Sequence, residues 1–309
     1  MRPSPDSCIL WAVIAVLFLC GIITCLNVFL SLCAVYREKL KIHYLVGVEV
    51  MKDYNAIKYT TTFLNQVIIR VDFLQFLETD SLFHDSIEKC ILKSFPRRGM
   101  DQKVHFNTIN VVIDSNIPNM PDAQKETLEG IQREYCSGKN KIILSNKFIV
   151  YEINDYSSFE NHYQVLLSIL PSLYFKQRIT SARIGIRYIN IFGPDRIKLR
   201  KNMFTPGISA TFYAKENMSD TGVKLLRAMN MNEYQVDNML LNFRFGMFNP
   251  DYPNPLDKES FALDYDCFIT EPIDSTDEVL RTIRTGHDAI QELFEQSITD
   301  SLRKVLTND

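Results

Sequence analysis

The sequence lacks the short motifs by which many enzymes and metal-binding proteins are recognised. It contains no G-x-x-x-x-G-K-S/T phosphate-binding loop, no G-x-G-x-x-G dinucleotide motif and no G-x-S-x-G nucleophile elbow. Its 5 histidines include no H-E-x-x-H pair, and its 7 cysteines include no C-x-x-C pair. We therefore predict no metal site, no cofactor and no disulfide framework, and free thiols in a reducing compartment.

An excess of positive charge is also missing. The 309 residues carry 34 Lys and Arg against 37 Asp and Glu, a net charge of −3. A chain of this kind has no overall basic field to attract a phosphate backbone. Short basic clusters at 96–98 and 196–201 are typical of solvated turns. We predict that nucleic acid is not a partner.

Charge of either sign is absent from one segment near the N-terminus. The 30 residues between Asp6 and Arg37 contain no charged side chain, and residues 8–36 are long enough to cross a hydrocarbon core of about 30 Å as a tilted helix. A signal peptide has an apolar region of only about 7–15 residues and a small-residue cleavage site. We therefore predict a single transmembrane helix at 8–36, within an anchor and juxtamembrane linker that covers residues 1–50.

The flanks of this segment set its expected orientation. Three basic residues follow it and one precedes it, namely Arg37, Lys39 and Lys41 against Arg2. The positive-inside rule then places residues 37–309 in the cytoplasm, as the body of a single-pass inner-membrane protein. The alternative is that translation begins at Met51, in which case the protein is cytoplasmic and has no anchor.

In the rest of the chain, segments with apolar residues at every second position alternate with segments that have apolar residues at helical spacing. Apolar residues at every second position predict strands at 65–73, 103–114, 140–153, 181–190, 238–248 and 261–270. Helical spacing predicts helices at 81–95, 123–135, 159–175, the first part of 221–236, and 275–298. Strands followed by a packing helix occur twice, so we predict an α+β protein with two antiparallel-sheet-plus-helix subdomains, 51–192 and 193–309, behind the transmembrane helix.

Four stretches carry a resemblance to a known family. They are FLNQVIIRVDF (63–73), RIGIRYIN (183–190), FALDYDCF (261–268) and HDAIQELFEQSIT (287–299). In their order and spacing, from Met51 onward, the chain resembles a sporadically distributed family of bacterial proteins that has no established activity. The first 50 residues are an addition to that pattern. The patchy distribution of the family implies genes carried on mobile elements, with roles in conflict or defence.

Two arginines stand out within one predicted strand. Arg183 and Arg187 share a strand face, and Asp264 and Asp266 share a face of a later strand. Three interpretations are open: an ion-pair network within a sheet, a polar pocket for an anionic or nucleotide-like ligand, and a solvated face. We predict that the strand at 181–190 lies inside a sheet and that Arg187 is mostly buried and bonded to one of these carboxylates, because buried arginine requires a partner.

Two further residues are predicted to be structural. His287 lies on the apolar stripe of the last long helix, where a lone histidine is typically a packed core residue. Glu295, in the LFEQSIT stretch, falls off that stripe and is predicted to cap or pair locally.

Three functions fit these observations. The first is a membrane-tethered cytoplasmic binding or sensing module, with a protein or an anionic small molecule as its partner, serving a mobile-element or defence system. The second is an enzyme that acts on a phosphorylated or nucleotide-like substrate through Arg183, Arg187, Asp264 and Asp266. The third is a defence or toxin component whose membrane segment carries the effect.

Overall fold

The computed structural model describes residues 57, 59–112, 122–212, 222–256, 258 and 260–307. These residues belong to one compact unit that runs from Tyr54 to Asp309. The predicted transmembrane helix at 8–36 lies outside the described residues. Among the helices that are described, none has the length and apolar character needed to cross a membrane.

Ten strands form one antiparallel sheet. They are β1 (Leu64–Phe73), β2 (Arg97–Arg98), β3 (Gln102–Val112), β4 (Asp122–Ser137), β5 (Asn140–Ser145), β6 (Phe148–Ile153), β7 (Ser181–Phe192), β8 (Ala228–Val236), β9 (Met239–Phe248) and β10 (Ser260–Ile269). The order across the sheet is β2-β4-β5-β6-β1-β7-β10-β9-β8, and β3 pairs with β4 beside β2. The first strand, β1, and the mid-chain strand β7 therefore lie side by side at the centre of the sheet.

Six α-helices accompany the sheet in the described part of the chain. They are α1 (Thr79–Leu82), α2 (Asp85–Ser94), α3 (Phe159–Gln177), α4 (Pro206–Ser209), α5 (Thr276–Ser297) and α6 (Asp300–Thr307). Serine caps fix the starts of the two long helices, since Ser158 accepts from the backbone N–H of Asn161 and Ser275 from that of Glu278. The predicted helices at 159–175 and 275–298 are thus confirmed.

The two faces of the sheet differ in chemistry. One face, which we call the helix face, carries the fully buried side chains of the central strands, among them Val67, Ile186 and Tyr265. Helix α5 packs against β7 and β10 on this face. Gly286 permits the close approach, because a Cβ there would lie 2.8 Å from the Cγ2 of Ile186. The other face carries no helix among the described elements, and we call it the open face.

Two predicted helices are absent from the described structure. Residues 123–135, predicted as a helix, belong to β4, which pairs with β3 along one edge and with β5 along the other. The first part of 221–236, predicted as a helix, is irregular over 222–227, and the later part, outside that prediction, forms β8 (Ala228–Val236), which joins β9 through a two-residue turn at Asp237 and Asn238. Both sequences are rich in helix formers, so tertiary pairing outweighs local propensity here.

The α+β class is confirmed, and the sheet is continuous across both predicted subdomains. Strands β1 to β7 come from residues 51–192 and β8 to β10 from residues 193–309, yet β7 pairs directly with β10. The boundary at 192 therefore falls between neighbouring strands of one sheet, and a division into subdomains there stays a prediction.

Candidate functional site

Strand β7 lies inside the sheet, between β1 and β10, as the sequence predicts. Its side chains alternate: Ile184 and Ile186 are fully buried on the helix face, while Arg183 and Arg187 lie on the open face. Gly185 stands between the arginines, and a Cβ there would lie 3.0 Å from Arg183 Nη1 and 3.1 Å from Phe268 Cβ. The glycine thus gives room for the Arg183 side chain to lie over the strand.

Arg187 forms a two-pronged ion pair with Asp264. Its Nε donates to Oδ1 and its Nη2 donates to Oδ2, both at 2.7 Å. This parallel geometry is the strong form of an arginine–carboxylate contact, and it raises the pKa of the Arg187 guanidinium. The predicted bond from Arg187 to a carboxylate is confirmed, although 34% of the Arg187 side chain remains exposed.

The contacts continue on both sides of this pair. Arg244 of β9 donates its Nη1 to Asp264 Oδ2 at 3.3 Å, and Arg183 donates its Nη2 to Asp266 Oδ1 at 3.4 Å. The guanidinium of Arg183 also lies over the ring of Phe268, 4.5 Å from its centroid. The five charged residues form a row of alternating sign, which we call the Arg–Asp ladder: Arg183, Asp266, Arg187, Asp264 and Arg244.

A second ion pair lies on the same face. In β1, Arg70 Nη2 lies 2.6 Å from Asp72 Oδ1. The Arg70 guanidinium also lies over the ring of Phe148, 4.4 Å from its centroid. With the ladder, this face presents four arginines against three aspartates. The arginine side chains are 29% to 42% exposed and the aspartates 11% to 23%. The carboxylates therefore lie deeper in the surface than the guanidinium groups.

The structure thus brings the four site residues predicted from the sequence together, and they form hydrogen bonds with one another. Asp264 accepts two hydrogen bonds from Arg187 and one from Arg244, so both of its oxygens are already engaged. Arg187 offers its two-pronged edge to Asp264 rather than to solvent. Sequence reasoning missed Arg244, although its position on the same face of a predicted strand could have been read from the alternation.

His287 occupies the core, as predicted. Its ring stacks on Phe159 with centroids 3.8 Å apart, and its Nδ1 lies 2.9 Å from the hydroxyl of Tyr188. Burial lowers the pKa of His287 to about 4. A similar pair, which sequence reasoning missed, joins His162 Nδ1 to the Tyr151 hydroxyl at 2.7 Å. Both histidines are buried between the helices and the sheet, which makes them packing residues.

Glu295 is paired locally, as predicted, and also distantly. It is 2% exposed, its Oε2 accepts from Arg303 Nε at 3.0 Å, and its Oε1 accepts from the Tyr59 hydroxyl at 2.6 Å. Burial and the neighbouring carboxylate raise the pKa of Tyr59. The cluster ties α5 and α6 to the segment that precedes β1. These contacts hold α6 against the rest of the fold, and both oxygens of Glu295 are already hydrogen-bonded.

No group of three or more histidine, cysteine or carboxylate side chains in the described residues is arranged to hold a metal. Comparison with known proteins adds no assignment, since no family model, no curated protein and no solved structure matches the chain. The candidate site therefore rests on geometry alone, and that geometry is the open face of the sheet with its Arg–Asp ladder.

Proposed function

We propose that this chain is a binding module that recognises a protein partner through the open face of its sheet, and that residues 8–36 tether it to the cytoplasmic side of a membrane. The observation that carries the proposal is the Arg–Asp ladder. It holds alternating charges in fixed positions on a face that the described helices leave uncovered. Such preorganised charges favour selection of a partner with a complementary pattern.

The ladder supports protein recognition better than catalysis on a phosphorylated substrate. A phosphate would compete with Asp264 for the two-pronged edge of Arg187, and both of these bonds are 2.7 Å long. The outer N–H groups of half-exposed arginines are available to a flat surface without breaking those bonds. Arginine and aromatic side chains, such as Phe148 under Arg70, are enriched where proteins meet.

The tether has a direct test. The full chain is expected to pellet with membranes, and a chain that starts at Met51 is expected to stay in the supernatant. The measurement is fractionation of cells that express each form. A full chain found in the soluble fraction would contradict the anchor and would leave the binding face unaffected.

The binding face is tested by photo-crosslinking of the full chain in cells. A photoreactive phenylalanine analogue replaces Ile68, at the centre of the open face, or Phe175, which is 82% exposed on α3. We expect a defined crosslinked protein from position 68 and not from position 175. Identification by mass spectrometry then names the partner.

A matched pair of charge reversals separates recognition from general charge effects. Arg244→Glu alters the ladder, and Arg281→Glu makes the same change on the exposed surface of α5. We expect crosslinking from position 68 to fall at least about tenfold for Arg244→Glu, equivalent to about 1.4 kcal/mol of binding. Equal crosslinking in both variants, or no adduct from position 68, would overturn the proposed function.

A further inference from the structure

Strand β8 ends the sheet with an edge that has almost no protection. No described strand pairs with its outer side, and all of its residues from Met229 to Gln235 are exposed. The strand has nine residues, no proline and a single charge, Glu233. Three of its large side chains are among the exposed hydrophobic residues, namely Met229 (41%), Met231 (56%) and Tyr234 (39%).

The helix layer stops before it reaches β8. A groove of about 850 Å³ separates the strand from the end of α5, and Leu293, Phe243 and Phe245 line it. A 3-10 turn at Ala210–Phe212 comes close to β8, yet the residues from Met229 to Gln235 stay exposed. Among the described strands, β8 pairs with β9.

The opposite end of the sheet has two outer strands. They are β2, which consists only of Arg97 and Arg98, and β3, which has 11 residues and includes Lys103. Short length and basic side chains are devices by which natural sheets prevent edge-to-edge pairing. Strand β2 uses both devices, whereas β8 uses neither, since it has nine residues and no basic side chain. The β8 edge is therefore suited to pairing.

We propose that β8 pairs antiparallel with β8 of a second copy of this chain, so that two sheets join into one across a twofold axis at Asn232. Asn232 is the midpoint of Ala228–Val236, and an axis there lets all nine residues overlap. It sets Glu233 opposite Met231 of the copy and Asn230 opposite Tyr234 of the copy. The two Glu233 carboxylates then do not face each other.

The chemistry of the edge favours a second copy over a charged peptide. Like charges directly opposite each other destabilise a strand pair, and this register contains none. A strand with one charge in nine residues offers little to select a strongly basic or acidic segment. Twofold self-pairing is also the commonest form of association between identical chains.

Cysteine crosslinking tests the register in the full chain. Opposed residues have Cβ atoms about 4.5–5.5 Å apart, so Asn232→Cys should be joined to its counterpart by a short bis-maleimide. The control is Met100→Cys, at a site that is 89% exposed and outside β8. We expect a band of doubled mass for Asn232→Cys that exceeds the bands of the control and of the unsubstituted chain at least fivefold.

A second pair of variants tests the contact with Glu233. In the Asn232→Cys chain, Met231→Glu places a carboxylate opposite Glu233 of the copy, and Met231→Lys places an ammonium group there. We expect at least a fivefold loss of crosslinking for Met231→Glu and retention for Met231→Lys. Within one chain Met231 lies opposite Arg244. A glutamate at position 231 therefore suits the monomer fold better than a lysine does, so misfolding would not explain a loss of crosslinking in the glutamate variant. No increase for Asn232→Cys, or equal effects of the two charges, would overturn the proposal.

Discussion

Replacement of Arg187 by alanine should destabilise the fold whatever the protein binds. The change removes both 2.7 Å bonds to Asp264, whose side chain is only 11% exposed, and leaves that carboxylate with Arg244 at 3.3 Å. Exposed ion pairs contribute about 0.2–1 kcal/mol, and breaking a fully buried pair costs about 3–5 kcal/mol. Because Arg187 is one-third exposed, we expect an intermediate loss of about 2 kcal/mol.

The loss can be measured by urea or thermal unfolding of the full chain, monitored by circular dichroism. For a unit of this size about 2 kcal/mol corresponds to a fall of roughly 4–8 °C in melting temperature. Arg183→Ala is the matched control, since Arg183 lies on the same face of the same strand and has a single 3.4 Å bond. We expect it to lose less than about 1 kcal/mol.

A double substitution distinguishes an unpaired carboxylate from a packing defect. Arg187→Leu combined with Asp264→Leu removes both charges, and such apolar replacements are often neutral. We expect the double variant to be more stable than Arg187→Leu alone. Equal melting of Arg187→Ala and Arg183→Ala, or a double variant that loses the sum of its single changes, would refute the reasoning.

Two further predictions concern the buried ionisable groups. Glu295→Ala should lower the free energy of unfolding by about 3 kcal/mol, because it leaves Arg303 and the Tyr59 hydroxyl without their buried partner. Asp300→Ala, on the exposed side of Arg303, is the control and should change it by less than about 0.5 kcal/mol. Urea titrations measure both values. His287 has a pKa of about 4 in the fold against about 6.5 when unfolded, so its neutral form stabilises the fold above pH 6.5 and this contribution is lost as the pH falls towards 4. At pH 4.5 the loss attributable to it should be about 2–3 kcal/mol, and His287→Gln should remove that part of the pH dependence; identical pH profiles of both proteins would contradict it.

The central strands and the two long helices were predictable because their own patterns agree with their surroundings. The sequence of β7 alternates between isoleucine and arginine, and the structure buries the first and pairs the second. The start of α5 carries a serine three residues before Glu278, and that serine caps the helix. Local pattern and tertiary packing point to the same answer at these places.

Strands β4 and β8 were not predictable, because their state is imposed by their partners. Neither has a clean apolar alternation, and β8 has no buried face at all. Each is held by a neighbouring strand through a two-residue turn with a positive φ, at Gly138 for β4 and at Asp237 for β8. Those turn residues were the available signal for hairpins.

The ladder was predictable in composition and not in its pairing. Asp266 lies directly opposite Arg187 across β7 and β10, yet Arg187 bonds to the diagonal neighbour Asp264. Diagonal positions are within reach of a long arginine side chain, and Asp264 also meets Arg244 from the other side. Which aspartate Arg187 bonds to therefore depends on Arg244 of β9, the strand beyond β10. The sequences of β7 and β10 alone do not reveal that neighbour.

Asp264 consequently has a different role from the arginines around it. It is the least exposed member of the ladder at 11%, and it joins β10 to β7 through Arg187 and to β9 through Arg244. Both of its oxygens accept hydrogen bonds from arginine, whereas each guanidinium group has five N–H donors, more than these bonds use. We therefore expect Asp264 to contribute strongly to folding, and the proposed partner recognition to depend on the outward donors of the arginines. On this basis Asp264→Ala should destabilise the fold more than Arg244→Ala, while Arg244→Glu should affect the partner more than the fold. The unfolding and crosslinking measurements would measure the two effects separately.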